Sequence, residues 1–319
     1  MEALRNFLLF MVMGPIAAFA ISGCVTTEPA LPGIEQEPLT FESANNARSV
    51  SVVASIYVPQ NKTSSLPLII TQHGSSRDGL TFADGNGQTD EYSSRLIQQG
   101  TKSGFAVVAI DAFAGTSVTP NSKTRFPDAY RYAVDLKNVL AADRRFDPKN
   151  VFYTGFSFGA DQVNKAYDAR YKFQGAEWKA VAAAEPGCNV IPKPTGRSFP
   201  ILIIKGSESH YHTQPCRYFE ELLRKAGNTA TLFEIKGANH FFSSNGTITK
   251  GVAVNGCFDN PVIRQPDGSF RFASGEGATR EEVISRCFTE QAGLGKNREY
   301  LDNVIQMVLA YFGDQLGKR

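Results

Sequence analysis

The chain has 319 residues, of which 42% are hydrophobic and 20% charged, so it has enough apolar side chains for one large core. This composition excludes a wholly disordered chain and a coiled coil. With 33 Lys and Arg residues against 31 Asp and Glu residues, the net charge of +2 is too small to capture nucleic acid, and we expect no nucleic-acid partner.

The first 24 residues have the pattern of a secretory signal. Arg5 and the free amine form a short basic region, residues 7–20 are almost all apolar, and Ile21-Ser22-Gly23-Cys24 follows. These four residues resemble the lipobox of bacterial lipoproteins, which implies a signal peptide over residues 1–23 and acylation of Cys24. Because Val25 and not Asp follows, the resemblance implies an exported protein, lipid-anchored in the outer membrane and facing the periplasm or the surface. The alternative is an uncleaved anchor helix, which Gly14-Pro15 disfavours.

Residues 24–47 are predicted to form a flexible tether, because they contain three prolines, few apolar side chains and no helical or strand period. The folded domain is expected to cover residues 48–319. Four cysteines remain when Cys24 is lipidated, an even number in an oxidising export compartment, which predicts two disulfides.

From residue 48 onwards, β-rich runs alternate with amphipathic stretches. The predicted strands cover residues 49–58, 66–71, 104–111, 150–154, 178–184, 199–205 and 229–235, and the predicted helices 91–103, 128–143, 157–170 and 216–226. Apolar residues at helical spacing from Leu301 to Phe312 predict a last helix. This alternation is typical of an α/β fold with a mostly parallel sheet covered on both faces. Residues 243–297, rich in Gly, Asn and Ser, break the pattern and are predicted to be an insertion closed by its own disulfide.

The segment Gly155-Phe156-Ser157-Phe158-Gly159 matches the GxSxG nucleophile elbow. A predicted strand precedes it and a predicted helix follows, which is the context that this motif requires. Ser157 is therefore the candidate nucleophile, and the alternative is a serine that only caps the helix.

A second loop, Gln72-His73-Gly74-Ser75-Ser76, follows the strand at residues 66–71. Such a loop can direct a backbone N–H, here that of Ser75, at a developing oxyanion, and the residue after the nucleophile, Phe158, supplies a second one. His73 is expected to shape the loop through its side chain.

His240 is the candidate general base, since a serine hydroxyl needs an imidazole to accept its proton. Among the four histidines, it alone follows the last predicted strand, in the chain order of an α/β-hydrolase triad. His210 and His212 could form a metal site with it, but an alternating pair in a polar loop is more often solvated, and we expect neither a metal nor a cofactor.

These motifs together resemble the dienelactone hydrolase family of α/β-hydrolases. The resemblance rests on the HG loop, the GFSFG elbow, Glu185-Pro-Gly-Cys, the segment 205–211 and Gly-Ala-Asn-His240, and it excludes the insertion. It implies an α/β-hydrolase fold and hydrolysis of a small-molecule ester by a nucleophile–His–Asp triad. The dienelactone enzymes themselves use a cysteine nucleophile, so the likeness is to their serine relatives, and the lactone substrate does not carry over.

The acid of the triad remains open. Where the family has its Asp, three residues after Gly206, this chain has Ser209, which cannot stabilise an imidazolium as a carboxylate does. Glu208 on the same loop and Glu185 after the preceding strand are the two replacements, with Glu185 slightly ahead and Asp111 third.

The resemblance also indicates the disulfide pairing. In the α/β-hydrolase strand order, the strands before Cys188 and Cys216 are neighbours, so these two cysteines are expected to pair. Cys257 and Cys287 would then close the insertion. The sequence therefore predicts a lipid-anchored serine ester hydrolase; the alternatives are a peptidase on the same fold and a non-catalytic surface binding protein.

Overall fold

The computed structural model of the chain describes residues 31–60, 65–119, 126–173, 175–240, 242, 251–254, 256–291 and 298–317. The predicted signal peptide and Cys24 lie outside the described residues. Within these ranges, no helix is both long and apolar enough to cross a bilayer.

Nine strands precede residue 240, and all except β7 join one eight-stranded sheet. They are β1 (Ile34–Asn45), β2 (Arg48–Pro59), β3 (Leu66–Gln72), β4 (Ala106–Asp111), β5 (Phe146–Phe156), β6 (Ala180–Ala184), β7 (Val190–Pro192), β8 (Ile201–Gly206) and β9 (Ala230–Ile235). The strand order is β1-β2-β4-β3-β5-β6-β8-β9. Strand β2 runs antiparallel to both of its neighbours, β1 and β4, and all the other pairs are parallel. The carboxyl ends of β3, β5, β6, β8 and β9 therefore meet at one edge of the sheet.

Helices cover both faces of this sheet. Residues of α2 (Tyr130–Leu140), α3 (Phe158–Asn164) and α4 (Thr213–Lys225) pack in one core, and residues of α1 (Glu91–Lys102) and α6 (Arg298–Leu316) pack in the other. Successive strand residues serve the two cores in turn, as Val107 and Val108 of β4 do. Helix α3 ends at Asn164 in a 3₁₀ turn, so it is shorter than the predicted helix over residues 157–170.

The tether prediction is wrong for residues 34–45, which form strand β1. This strand pairs with β2 along its whole length and buries Phe41 in the core. It is the edge strand of the sheet, a position that tolerates Pro38, since an edge strand has one side without ladder hydrogen bonds. Because this segment contains Pro38 and is polar at most positions, its sequence lacks the clear apolar–polar alternation that predicts a strand.

The insertion forms a small unit of short elements. Strands β10 (Gly251–Val254) and β14 (Phe288–Gln291) pair with each other, while β11 (Val262–Arg264), β12 (Phe270–Phe272) and β13 (Gly277–Ala278) form a sheet with β7. Helix α5 (Arg280–Cys287) ends at the Cys257–Cys287 disulfide, which is the predicted pairing. Because β11 pairs with β7, which lies between β6 and β8 in the chain, the insertion is also joined to the main chain of the domain through this second sheet, beyond its own disulfide.

Candidate active site

The GxSxG segment forms a tight turn between β5 and α3. Ser157 has φ 50° and ψ −110°, a strained conformation that exposes its hydroxyl at the sheet edge. A Cβ on Gly155 would lie 2.5 Å from the carbonyl carbon of Gly159, and one on Gly159 would lie 2.0 Å from the carbonyl oxygen of Gln72. Both glycines are thus required by close backbone approach, which agrees with the elbow predicted from the sequence.

Three side chains form a continuous hydrogen-bonded relay. The Oγ atom of Ser157 lies 3.0 Å from Nε2 of His240, and Nδ1 of His240 lies 2.9 Å from Oε2 of Glu185. Since a carboxylate can only accept, Nδ1 carries the proton and donates it to Glu185, which leaves the Nε2 lone pair for the serine hydroxyl. This is the protonation state that a general base next to a serine needs.

Glu185 is fully buried and yet ionised. Burial alone would raise its pKa, but the Lys205 ammonium, the hydrogen bond from His240 and the N–H of Gly206 lower the pKa of Glu185 to about 2. The hydroxyl of Ser209 donates to the same carboxylate at 2.8 Å. Besides His240, three donors therefore hold this carboxylate in place.

The structure separates the three acid candidates clearly. Glu185 contacts His240, whereas Glu208 is exposed at the surface of its loop. Asp111 is held by Arg77 at 2.7 Å, and although burial opposes it, the neighbouring His73 and Arg77 lower its pKa. Ser209, which stands where the resemblance places the acid, binds the carboxylate that arrives from β6.

The two histidines of the loop after β8 lie beside the relay and near the insertion. The ring of His210 lies against His240 with 4.9 Å between centroids. His212 immediately precedes α4 and stacks on Phe258 of the insertion. Across the described ranges, no group of three or more His, Cys, Asp or Glu side chains is arranged to hold a metal ion.

The loop after β3 is fixed by buried polar contacts. Asp90 accepts the N–H of Gly74 at 2.5 Å, and Nε2 of His73 accepts the N–H of Ala112 at 3.0 Å. His73 thus shapes the loop through its side chain. Burial raises the pKa of Asp90, a shift that the N–H groups of Gly74 and Ser93 oppose.

A cavity of about 310 Å³ opens onto Ser157. Its wall includes Ser75 and Phe158, the two residues predicted to supply oxyanion donors, and Arg264, which the insertion contributes. The N–H of Phe158 is the first of α3, and the first N–H groups of a helix have no acceptor within it. The cavity therefore brings the candidate nucleophile and the predicted donors to one surface.

Three residues around this site were not singled out from the sequence. Lys205 ends the apolar run of β8, and a lysine in such a run was the available signal. Asp161, one helical turn after Ser157, accepts the N–H of Gly187 at 2.9 Å; burial raises its pKa to about 6, although this hydrogen bond opposes the shift. Nothing in the sequence indicated Arg264, because its approach to the cavity depends on the pairing of β11 with β7.

The predicted Cys188–Cys216 disulfide is present and anchors the loop that follows Glu185. Both Glu185 and Cys188 have positive φ, at 57° and 49°, so this loop is strained. The disulfide and the Asp161–Gly187 hydrogen bond together hold it in place.

Comparison with known proteins gives matches at the level of structure. Neither a protein-family model nor a curated protein matches the sequence. A protein described as a dienelactone hydrolase of Klebsiella pneumoniae has a TM-score of 0.54 and 15% identity, covering 87% of this chain and 99% of its own. A dienelactone hydrolase-like promiscuous phosphotriesterase from metagenomic libraries has a TM-score of 0.56 and 12% identity, covering 88% and 99%.

An esterase gives a further match over a shorter part of the chain. Esterase 2 of Thermogutta terrifontis, in a form phosphorylated by paraoxon, has a TM-score of 0.51 and 18% identity, covering 68% of this chain and 88% of its own. With the strand order and the elbow described above, these similarities identify the architecture. The chain has the α/β-hydrolase fold found in dienelactone hydrolase-like proteins and esterases.

Proposed function

We propose that the chain is a serine carboxylic ester hydrolase that acts through a Ser157–His240–Glu185 triad and an acyl-enzyme intermediate. The observation that carries this proposal is the relay of 3.0 Å and 2.9 Å contacts, which ends in a serine facing a cavity of about 310 Å³. The fold shared with esterases and dienelactone hydrolase-like proteins supports the same class of reaction.

In this mechanism Oγ of Ser157 attacks the ester carbonyl carbon while Nε2 of His240 takes the hydroxyl proton. The carbonyl oxygen becomes an oxyanion, which the backbone N–H groups of Phe158 and Ser75 stabilise. The tetrahedral intermediate then expels the alcohol, which receives the proton from His240. A water molecule, deprotonated by the same imidazole, releases the acid and restores the serine.

The test combines a substrate panel with a probe for the nucleophile. Purified protein is assayed with nitrophenyl esters of increasing acyl length and with matching amides, and is then treated with paraoxon. We expect ester hydrolysis, a phosphoryl adduct on Ser157 by mass spectrometry, and loss of both in Ser157→Ala. Cleavage of amides alone would indicate a peptidase, and a protein without turnover or adduct would be a binding protein on this scaffold.

We also propose that the mature protein is anchored in the outer membrane through acylated Cys24. The lipobox-like Ile21-Ser22-Gly23-Cys24 supports this proposal. Metabolic labelling with a fatty-acid analogue should mark the wild type and not Cys24→Ala, and the variant should leave the membrane fraction. Membrane retention of an unlabelled variant would indicate an uncleaved helix.

A further inference from the structure

Lys205 is a fully buried lysine at the carboxyl end of β8. The rest of this strand is apolar, and its neighbours in the sheet are β6 and β9. Burial of an ammonium group is costly unless the charge is paired and all its hydrogens find acceptors. A lysine at this position therefore needs a specific set of partners.

The structure provides all three acceptors. The Nζ atom of Lys205 lies 2.9 Å from Oε2 of Glu185, 3.2 Å from the carbonyl oxygen of Pro186 and 3.2 Å from Oγ of Ser209. An ammonium group has three N–H donors, so each donor has one acceptor. The carboxylate of Glu185 is the negative partner that a buried ammonium group requires.

Lys205 and His240 share one acceptor atom. Each donates to Oε2 of Glu185 over 2.9 Å, so Nζ and Nδ1 lie within twice that distance of each other. A permanent positive charge so close to the imidazole disfavours a second positive charge on it. The lysine thus offsets part of the attraction that Glu185 exerts on a proton at His240.

We propose that Lys205 is a positioning residue of the triad. It holds Glu185 ionised and in place, and its charge keeps His240 unprotonated down to a lower pH than His240 would reach beside Glu185 alone. The proposal rests on the proposed function, since it assigns His240 the role of base. It also explains how the acid can come from β6. The lysine and Ser209 from the β8 side both bind the carboxylate on the atom that faces His240.

The groups that face His240 from the described elements are few. Glu185 lies at the end of β6 and Lys205 at the end of β8, and the loop after β8 presents His210 and Tyr211, with ring centroids 4.9 Å and 4.7 Å from that of His240. Burial raises the pKa of Tyr211, so its phenol stays neutral at working pH. The ionised neighbours that decide the effect are therefore Glu185 and Lys205, with His210 as a second titrating imidazole.

The experiment measures the protonation of His240 with and without the lysine charge. In Lys205→Met and Lys205→Gln, the acid limb of kcat/KM for nitrophenyl butyrate should move up by about 2 pH units, from Coulomb's law at an effective dielectric of about 20. The imidazole resonance of His240, assigned by its loss in His240→Asn, should show the same shift in an NMR titration.

Two matched variants separate charge from structure. Lys205→Arg keeps the charge, and Ser209→Ala removes a hydrogen bond to the same oxygen without changing any charge. Both should lower kcat without moving the acid limb. A folded Lys205→Met or Lys205→Gln whose His240 titrates as in the wild type would overturn the proposal.

The unaltered protein provides a measurement that does not depend on the variants. In protein labelled with ¹⁵N-lysine, Nζ of Lys205 should remain an ammonium throughout the pH range in which His240 titrates, and a neutral amine in that range would refute the inference. Ester hydrolysis by the wild type tests the proposed function separately. If it is absent, the His240 titration still measures the effect of Lys205, so the two failures are distinguishable.

Discussion

The change Glu185→Gln tests the assignment of the triad acid. Oε2 of Glu185 accepts hydrogen bonds from His240, Lys205 and Ser209, and Oε1 accepts the N–H of Gly206. A glutamine can turn its oxygen toward the first three donors only by pointing its NH₂ group at the N–H of Gly206. In that orientation the NH₂ group opposes one donor, and in the reverse orientation it opposes three. Both orientations remove the charge that stabilises the imidazolium.

The expected loss is large because the charge is buried. Loss of a triad carboxylate can lower kcat by about 10⁴-fold, which corresponds to about 5.5 kcal/mol. The substitution also leaves the fully buried Lys205 without its counter-ion, and breaking a buried ion pair costs roughly 3 to 5 kcal/mol of stability. Thermal melting must therefore accompany the assay, so that lost activity is not mistaken for unfolding.

The assay compares kcat of the wild type, Glu185→Gln and Glu208→Gln with a nitrophenyl ester, below the lowest melting temperature. Glu208 is the matched control, because it undergoes the same chemical change at an exposed position. We expect Glu185→Gln to lose most of its activity and Glu208→Gln to resemble the wild type. The reasoning is refuted if folded Glu185→Gln keeps full turnover or if Glu208→Gln is the crippled variant.

Three further predictions concern stability and the loops of the site. The pKa of Glu185 is about 2 in the folded protein against an ordinary value of 4.5, so ionised Glu185 contributes roughly 3 kcal/mol of stability above pH 4.5. This contribution is lost as the pH falls toward 2, so the free energies of unfolding of the wild type and Glu185→Gln, measured by denaturant titration, should converge by roughly 3 kcal/mol between pH 4.5 and 2. A difference that stays constant with pH would contradict this prediction. Replacing Cys188 and Cys216 by serine should cost roughly 3 to 4 kcal/mol by the loop-entropy model for a separation of 28 residues, and should lower kcat because the loop carries Glu185. Removal of the Cys257–Cys287 disulfide, which closes a similar separation of 30 residues, is the control and should cost similar stability without changing kcat. If the two disulfide variants have equal kcat, the Cys188–Cys216 disulfide does not act on the site through Glu185. Gly159→Ala should abolish activity or folding, since its Cβ would lie 2.0 Å from a backbone oxygen. The control Gly277→Ala has open space around the new Cβ and should match the wild type in activity and melting temperature. A fully active Gly159→Ala would show that the turn can relax.

The main architecture could be predicted from the sequence because it depends on local patterns. Apolar runs of strand length separated by amphipathic stretches predicted seven of the eight strands in the sheet, and the helix after β5 differed only in where it ends. The eighth strand, β1, was missed since its proline, Pro38, and its exposed residues are allowed only by its position at the edge. An edge position is a property of the assembled sheet and leaves no clear pattern in the chain.

The candidate site also has some features that local sequence motifs predict and others that depend on the assembled sheet. The candidates Ser157 and His240 could be chosen from the sequence alone, since each stands in a short motif that follows a strand. It could not decide between Glu185 and Glu208, because this choice depends on how the carboxyl ends of β6 and β8 meet. Tertiary structure settled the geometry by placing Lys205 and Ser209 where they bind the Glu185 carboxylate and direct it to His240. A buried charge is stable only where its partners converge in space, and in this protein those partners come from segments 20 to 55 residues away along the chain.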